Sequence, residues 1–191
     1  LSAEMGLFLI NFNNQYDSNQ TNDTVTARGK TRHSGLETQT RYDLGDLNPQ
    51  LENLSVYASY AYVNAVIREK GDTYGNQVPF SPRHKGTLGV DYKPGNWTFN
   101  LNSDFQSSQF ADNANTVEES ADGSNGRIPG YMLWGARVAY DFGPQMANLN
   151  LAFGVKNIFD HEYYTRSYDD NNKGIYVGQP RTLYLQGAMT F

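Results

Sequence analysis

Residues 160–162 read Asp-His-Glu, three consecutive side chains that can each bind a metal ion. A metal site needs ligands that converge on one point, and consecutive residues of a loop rarely do so. No second histidine lies at ligand spacing from His161, and the chain has no cysteine that could supply a thiolate. The sequence therefore predicts no metal site and no resident cofactor.

Catalytic groups are equally hard to find in this chain. The G-x-S-x-G motif of a nucleophilic serine does not occur, and the glycines of residues 135–143, GARVAYDFG, stand in a strand pattern that offers no phosphate-binding loop. His33 and His84 are expected on the surface or in a lumen, not as a catalytic pair. We expect no catalytic residue and no enzymatic activity. The net charge of −5 argues against nucleic acid as a partner.

The elements that must position any functional side chain are strands. Apolar and polar residues alternate with a period of two, as where Trp97, Phe99 and Leu101 are separated by Thr98 and Asn100. This pattern recurs eight times, and it predicts an all-β, antiparallel fold. The predicted strands span residues 4–14, 28–44, 53–66, 84–93, 96–107, 130–142, 148–158 and 180–191.

The polar faces of these strands carry charges in mid-strand. The charged residues expected on this face are Glu37, Arg41, Asp104, Arg137 and Lys156. Two such faces cannot pack against each other without stranding polar groups, which excludes a sandwich core. Many of the strands have about ten residues or more, enough to cross a bilayer at a tilt. We therefore predict a transmembrane β-barrel whose apolar face meets lipid, with the charges paired to one another or to a domain inside the barrel.

The connections between the predicted strands alternate in length. Short ones fall at residues 45–53, 93–96 and 143–148, and long ones at 15–27, 67–83, 108–129 and 159–179. Outer-membrane barrels place short turns on the periplasmic side and long loops outside the cell. Aromatic residues near strand ends suit the two interfacial girdles of such a barrel; these are Tyr42, Tyr92, Trp97 and Tyr140.

Two motifs near the end of the chain point to a family. They are GVKNIFDHEYYTRS at residues 154–167 and GQPRTLYLQGAMTF at residues 178–191. Together they resemble the C-terminal signature of TonB-dependent outer-membrane receptors. The resemblance implies that residues 1–191 form the C-terminal segment, about eight strands, of a larger, 22-stranded barrel. It also implies a plug domain and a TonB-contacting motif that lie outside this chain.

The resemblance further implies that the ligand is the iron(III)–citrate complex. The outer loops would bind this complex, and import would then depend on TonB. Ferric citrate is anionic and presents carboxylate oxygens, so its site needs N–H donors and positive charge. Two positions match the family's ligand residues: Gln20 in YDSNQTND and Asn171 in YDDNNKGIY, with Asn172 as the competitor one residue away. The principal arginines are expected upstream. The loops here are acidic, and their acidic residues are Asp112, Glu118, Glu119, Asp122, Asp169 and Asp170.

Two alternatives stay open at this point. One is a receptor of the same family for another iron-siderophore complex. The other is a self-contained eight-stranded outer-membrane barrel, because eight strands are enough to close a small barrel. Closure would require the first strand to pair with the last.

Overall fold

A computed structural model describes residues 1–19, 24–121, 125–167 and 175–190, with side chains described for 1–13, 29–121, 125–165 and 175–190. These described residues form twelve strands and three single-turn 3-10 helices. The strands are β1 (Ser2–Asn19), β2 (Thr24–Asp43), β3 (Leu54–Ile67), β4 (His84–Tyr92), β5 (Trp97–Gln106), β6 (Gln109–Phe110), β7 (Arg127–Ile128), β8 (Tyr131–Asp141), β9 (Asn150–Lys156), β10 (Tyr164–Ser167), β11 (Ile175–Val177) and β12 (Thr182–Ala188). The 3-10 helices are Leu44–Asp46, Pro49–Leu51 and Pro144–Met146.

One antiparallel sheet contains the eight predicted strands, in the order β1-β2-β3-β4-β5-β8-β9-β12. Each strand pairs with the next strand of this sheet along the chain, with the β6–β7 and β10–β11 hairpins inserted between β5 and β8 and between β9 and β12, so the sheet is a meander and the all-β prediction is confirmed. Strands β1 and β12 are its edges, and across the described ranges no ladder joins them. The sheet therefore does not close on itself, as a self-contained eight-stranded barrel would require. None of the described helices could cross a membrane.

The predicted long connection at residues 15–27 is wrong in extent. Strand β1 continues to Asn19 and β2 already begins at Thr24, with the two strands paired across this region. The ladder shifts register around Gln15, opposite Gly29, whose φ of +84° suits a residue without a side chain. Backbone pairing needs no apolar side chains, so a polar segment was mistaken for a loop.

Two of the other long connections contain short hairpins that the sequence did not predict. Strands β6 and β7 pair within residues 108–129, and β10 and β11 pair within residues 159–179. At the end of the chain, β12 covers only 182–188 of the predicted 180–191, and Phe191 lies outside the described residues.

The register places apolar residues in unbroken rows on one face of the sheet. One row runs across six strands through Val56, Val90, Leu101, Ala136, Val155 and Leu183. These side chains are not a buried core: Leu101 is 46% exposed and Leu183 65% exposed. An apolar band of this kind is typical of the lipid-facing surface of a membrane barrel. The predicted outward face is therefore confirmed, and we call it the apolar face.

Aromatic rings gather at both ends of the apolar face. Near the short turns, Tyr92, Trp97, Phe99 and Tyr140 form a chain of contacts with ring centroids 4.7 to 6.1 Å apart. Near the long loops, the Tyr60 hydroxyl lies 2.7 Å from Nδ1 of His84. The two groups have the positions of the aromatic girdles that flank the hydrocarbon layer.

The opposite face, called here the inner wall, is polar. A row one residue out of step with the apolar row runs through Ser55, Asp91, Asn100, Arg137, Gly154 and Tyr184. On this wall, tyrosine rings cover glycines directly opposite them on the next strand. A Cβ atom at Gly89 would overlap the ring of Tyr57, and one at Gly154 would overlap the ring of Tyr184. Glycine is therefore required at both positions for the rings to lie flat against the wall.

Candidate functional site

The predicted ligand residues Gln20 and Asn171, and the competitor Asn172, lie outside the described residues. Along the chain, Gln20 follows directly after β1, and Asn171 falls between β10 and β11. The described end of β1 and the hairpin of β10 and β11 stand at the end of the sheet that carries the long connections.

A clasp of hydrogen bonds closes the base of the connection at residues 159–179. The side-chain amide of Asn157 donates to the carbonyl oxygens of His161 (2.9 Å) and Gln179 (3.1 Å), and its carbonyl oxygen accepts from the His161 amide (2.9 Å). Asp160 accepts from the backbone amide of Arg181 at 2.7 Å. Asn157 and Asp160 belong to the NIFD sequence at residues 157–160, and Gln179 and Arg181 belong to the GQPR sequence at residues 178–181, so the two motifs form the two halves of one clasp.

Asn157 is the central residue of this clasp. It is 5% exposed and has a φ of +51°, a left-handed conformation that asparagine tolerates better than most residues. His161 takes part through its backbone. No three His, Cys, Asp or Glu side chains meet at a possible metal position in the part of the chain that the structure describes.

The connections at residues 67–83 and 108–129 are bound to each other. The backbone amide of Gln77 donates to Oδ1 of Asn115 (2.7 Å), and the Asn115 amide donates back to the Gln77 carbonyl oxygen (2.9 Å). A backbone bond from Phe80 to the carbonyl oxygen of Phe110 (2.9 Å) extends this contact. Asn115 also has a positive φ of 58°. Beneath the contact, Ala65, Ile67 and Val78 form a small buried apolar cluster.

The connections at residues 108–129 and 159–179 are joined by two side chains. The amide of Gln109, which is 4% exposed, donates to the carbonyl oxygen of Thr165 (2.8 Å). The Tyr164 hydroxyl donates to a carboxylate oxygen of Glu119 (2.7 Å). Burial, followed by this contact with the Glu119 carboxylate, raises the pKa of Tyr164 to about 12. The three connections therefore form one layer of interlocked loops.

Two of the acidic loop residues thus have structural contacts. Glu119 accepts the bond from Tyr164, and the Asp112 carboxylate accepts from Thr116 (3.1 Å) and from the Gly126 amide (3.2 Å). The sequence could not show this, because the partners are far apart along the chain or in irregular backbone. The one local signal was asparagine at Asn115 and Asn157, which favours left-handed positions.

The five predicted lumen charges all fall on the inner wall. The register assigns Glu37, Arg41, Asp104, Arg137 and Lys156 to that face. Among the side chains that are described, they form no ion pair with one another. Arg41 instead pairs with Asp91 at 2.7 Å.

Asp91 also accepts from Asn100 (2.7 Å), and the Asn100 amide lies 3.0 Å from the Tyr57 hydroxyl oxygen. This network fixes the inner wall near the short turns. His33 and His84 lie on opposite faces of the sheet. Tyr62 pairs with both Leu36 and His84, so these three residues share the apolar face. His33 is three residues from Leu36 on the same strand, so its side chain is on the inner wall. They cannot act as a pair.

Comparison with known proteins relates the whole chain to membrane receptors. The family described as "TonB dependent receptor-like, beta-barrel" matches residues 1–158. The metal-pseudopaline receptor CntO of Pseudomonas aeruginosa is 26% identical over 100% of this chain and 26% of its own length. The ferrichrome outer membrane transporter/phage receptor of Escherichia coli K12 is 25% identical over 85% of this chain and 20% of its own.

A solved structure is much more similar. The crystal structure of the ferric citrate transporter FecA in the unliganded form superposes with a TM-score of 0.90 and 87% sequence identity, covering 99% of this chain and 29% of that one. The siderophore receptor PiuA of Acinetobacter baumannii has a TM-score of 0.71 at 18% identity, over 96% of this chain and 25% of that one. The chain thus spans between a fifth and a third of the length of these proteins.

Proposed function

Because this chain belongs to the TonB-dependent receptor β-barrel family, we propose that the protein containing it binds ferric citrate with its outer loops and imports it across the bacterial outer membrane. The observation that carries this proposal is the 87% identity to the ferric citrate transporter over 99% of the chain. At that identity about seven of every eight aligned positions carry the same residue. The relatives that take other chelates share far less of the sequence.

The polar chemistry of the ligand fits the end of the sheet that carries the long connections. Ferric citrate presents carboxylate oxygens, and side-chain amides donate hydrogen bonds to such oxygens. Gln20 and Asn171 are proposed as two of these donors. The clasp around Asn157 and the Tyr164–Glu119 bond support this role, because they hold both stems of the connection that carries Asn171.

The remaining partners follow from the family. Lipid covers the apolar face, a plug domain fills the barrel against the inner wall, and TonB engages a region outside this chain. Binding and gated passage require neither covalent chemistry nor a resident cofactor, so we propose a receptor and not an enzyme. Iron enters only as part of the transported complex.

Equilibrium binding of radiolabelled ferric citrate to the purified full-length receptor tests the proposal. We expect saturable binding and expect the double variant Gln20→Ala/Asn171→Ala to weaken it by about tenfold or more, which corresponds to roughly 1.4 kcal/mol. Gln50→Ala/Asn96→Ala is the matched control, since it removes the same two side-chain types at the short-turn end. This control should bind like the parent.

The possible results separate the parts of the proposal. Equal affinity of the parent and the Gln20→Ala/Asn171→Ala variant would remove both residues from the site while leaving the receptor function intact. A parent that does not bind ferric citrate, and does not support growth on iron with citrate as the sole chelator, would contradict the function. Growth with another iron chelate would then identify the alternative receptor.

A further inference from the structure

The inner wall carries an acidic and a basic concavity that share one border. The larger, about 720 Å³, is lined by Glu4, Glu37 and Asp104 with Lys85 as its one lining cation among the described residues. The smaller, about 340 Å³, is lined by Arg137 and Lys156, with Asp104 at the border between the two. A volume of this size lies within the roughly 300–1,000 Å³ range of small-molecule sites.

Arg137 and Lys156 lie around one point of the wall. Gly154 pairs directly with Arg137 on one side and with Tyr184 on the other, and Lys156 follows Gly154 by two residues on the same face. Diagonal neighbours of this kind have side chains within reach of a shared ligand. The flat ring of Tyr184 covers Gly154 and lies 5.9 Å from the Lys156 ammonium group. Two cations thus flank a phenol.

The acids nearest to this pair are occupied elsewhere. Asp104 accepts from the Thr87 hydroxyl (2.6 Å) and from the Asn102 amide (3.0 Å). Asp91 is paired with Arg41. No carboxylate of the described residues lies within ion-pair distance of Arg137 or Lys156. Since cations on a polar wall are stabilised by anionic partners, this pair has unused capacity for carboxylates.

The basic concavity also reaches the clasp. Its lining includes Asn157 and Gln179, the residues that close the base of the connection at 159–179, together with Tyr163. The concavity therefore extends along the inner wall from the base of the connection at residues 159–179. Arg137 and Lys156 line it below that base.

We propose that Arg137 and Lys156, with the phenol of Tyr184 between them, form a carboxylate-binding site on the inner wall, below the outer loops. The carboxylate can come from two sources. One is the ferric citrate complex in transit, and for this source the inference rests on the proposed function. The other source is a carboxylate side chain of the receptor outside this chain. The chemistry is the same in both cases, a carboxylate between a guanidinium and an ammonium group.

The test compares two variants of the full-length receptor. Arg137→Gln/Lys156→Gln removes the site, and Lys85→Gln is the control that removes a cation of the same face from the acidic concavity. Three quantities are measured: the affinity for ferric citrate, the rate of radiolabelled ferric citrate uptake by cells, and the Tm of the ligand-free receptor.

If the complex in transit supplies the carboxylates, uptake by Arg137→Gln/Lys156→Gln falls by about tenfold while the Tm and the affinity stay at the parent values. If the receptor supplies them, the ligand-free Tm falls clearly below that of Lys85→Gln. Either result supports the site. Affinity, uptake and Tm that all match Lys85→Gln overturn it. The Tm comparison does not depend on the ligand, so it remains informative if the receptor proves to bind another chelate.

Discussion

Replacement of Gly89 by alanine should destabilise the barrel through the ring that covers it. Tyr57 lies opposite Gly89, and its ring occupies the space that a Cβ would need. The ring cannot move without cost, because its hydroxyl oxygen lies 3.0 Å from the Asn100 amide and its face lies 5.7 Å from the Arg41 guanidinium carbon. Alanine must displace the ring and disrupt both contacts.

The expected decrease in the free energy of unfolding can be estimated from these contacts. Overpacking costs about 1–3 kcal/mol, a lost hydrogen bond about 1 kcal/mol and a cation–π contact at a half-exposed site about 0.5–1 kcal/mol. Because the ring shift relieves part of the overpacking, we expect a total of about 2–4 kcal/mol. This should be visible as a lower thermal midpoint of the full-length receptor in detergent, with less heat-modifiable folded protein on a gel.

Two comparisons make this prediction specific. Gly6→Ala is the matched control, because Gly6 lies in a strand of the same sheet, opposite Glu37, and no atom of the described residues lies within 4 Å of its added Cβ. Tyr57→Ala/Gly89→Ala should show strong non-additivity, since removal of the ring makes room for the methyl group. The reasoning is refuted if Gly89→Ala is as stable as Gly6→Ala. It is also refuted if Gly89→Ala lowers the free energy of unfolding equally in the parent and in the Tyr57→Ala variant.

Three further predictions address the two faces and the loop layer. Leu101→Lys should lower the free energy of unfolding by about 2–4 kcal/mol because it puts a charge against lipid. Asn102→Lys, on the inner wall, should lower it far less. Equal Tm values for the two variants would contradict the assignment of faces. Asn157→Ala should remove three hydrogen bonds from a residue at a φ of +51° and cost about 2–4 kcal/mol, measured as a lower Tm and weaker ferric citrate binding. Glu119→Gln should lower the pKa of Tyr164 from about 12, followed as tyrosinate absorbance against a Tyr164→Phe reference. Since this pKa is raised in the folded state, the loop contact contributes fully below pH 10 and is lost as the pH rises towards 12. An unchanged titration curve in Glu119→Gln would show that burial alone shifts the group.

The strands and their faces could be predicted because a period of two is a local property of the sequence. The alternation around Leu101 assigns that residue and its neighbours to a face, and the register confirms the assignment across six strands. The prediction of a long loop at residues 15–27 is wrong for the same reason: the polar side chains there show no alternation, although the backbone is paired.

The loop layer could not be predicted in this way. Gln77 and Asn115 are 38 residues apart, and Glu119 and Tyr164 are 45 apart. No periodicity relates such pairs, and the partner of a glutamine or tyrosine in a loop depends on where the strands place the loop ends. The motifs NIFD and GQPR were visible in the sequence, but their mutual contact through Asn157 and Gln179 required coordinates.

The clasp makes the connection at residues 159–179 separable from the sheet. Asp160 and Arg181 close the stem at one level, and the bond from Asn157 to Gln179 closes it immediately beside them. We expect a change of length or composition above this closure to leave β9 and β12 in place, provided that Tyr164 and Thr165 keep their contacts with the connection at residues 108–129. With that condition, the segment between the two anchor points can vary in sequence while the strands of the sheet keep their register.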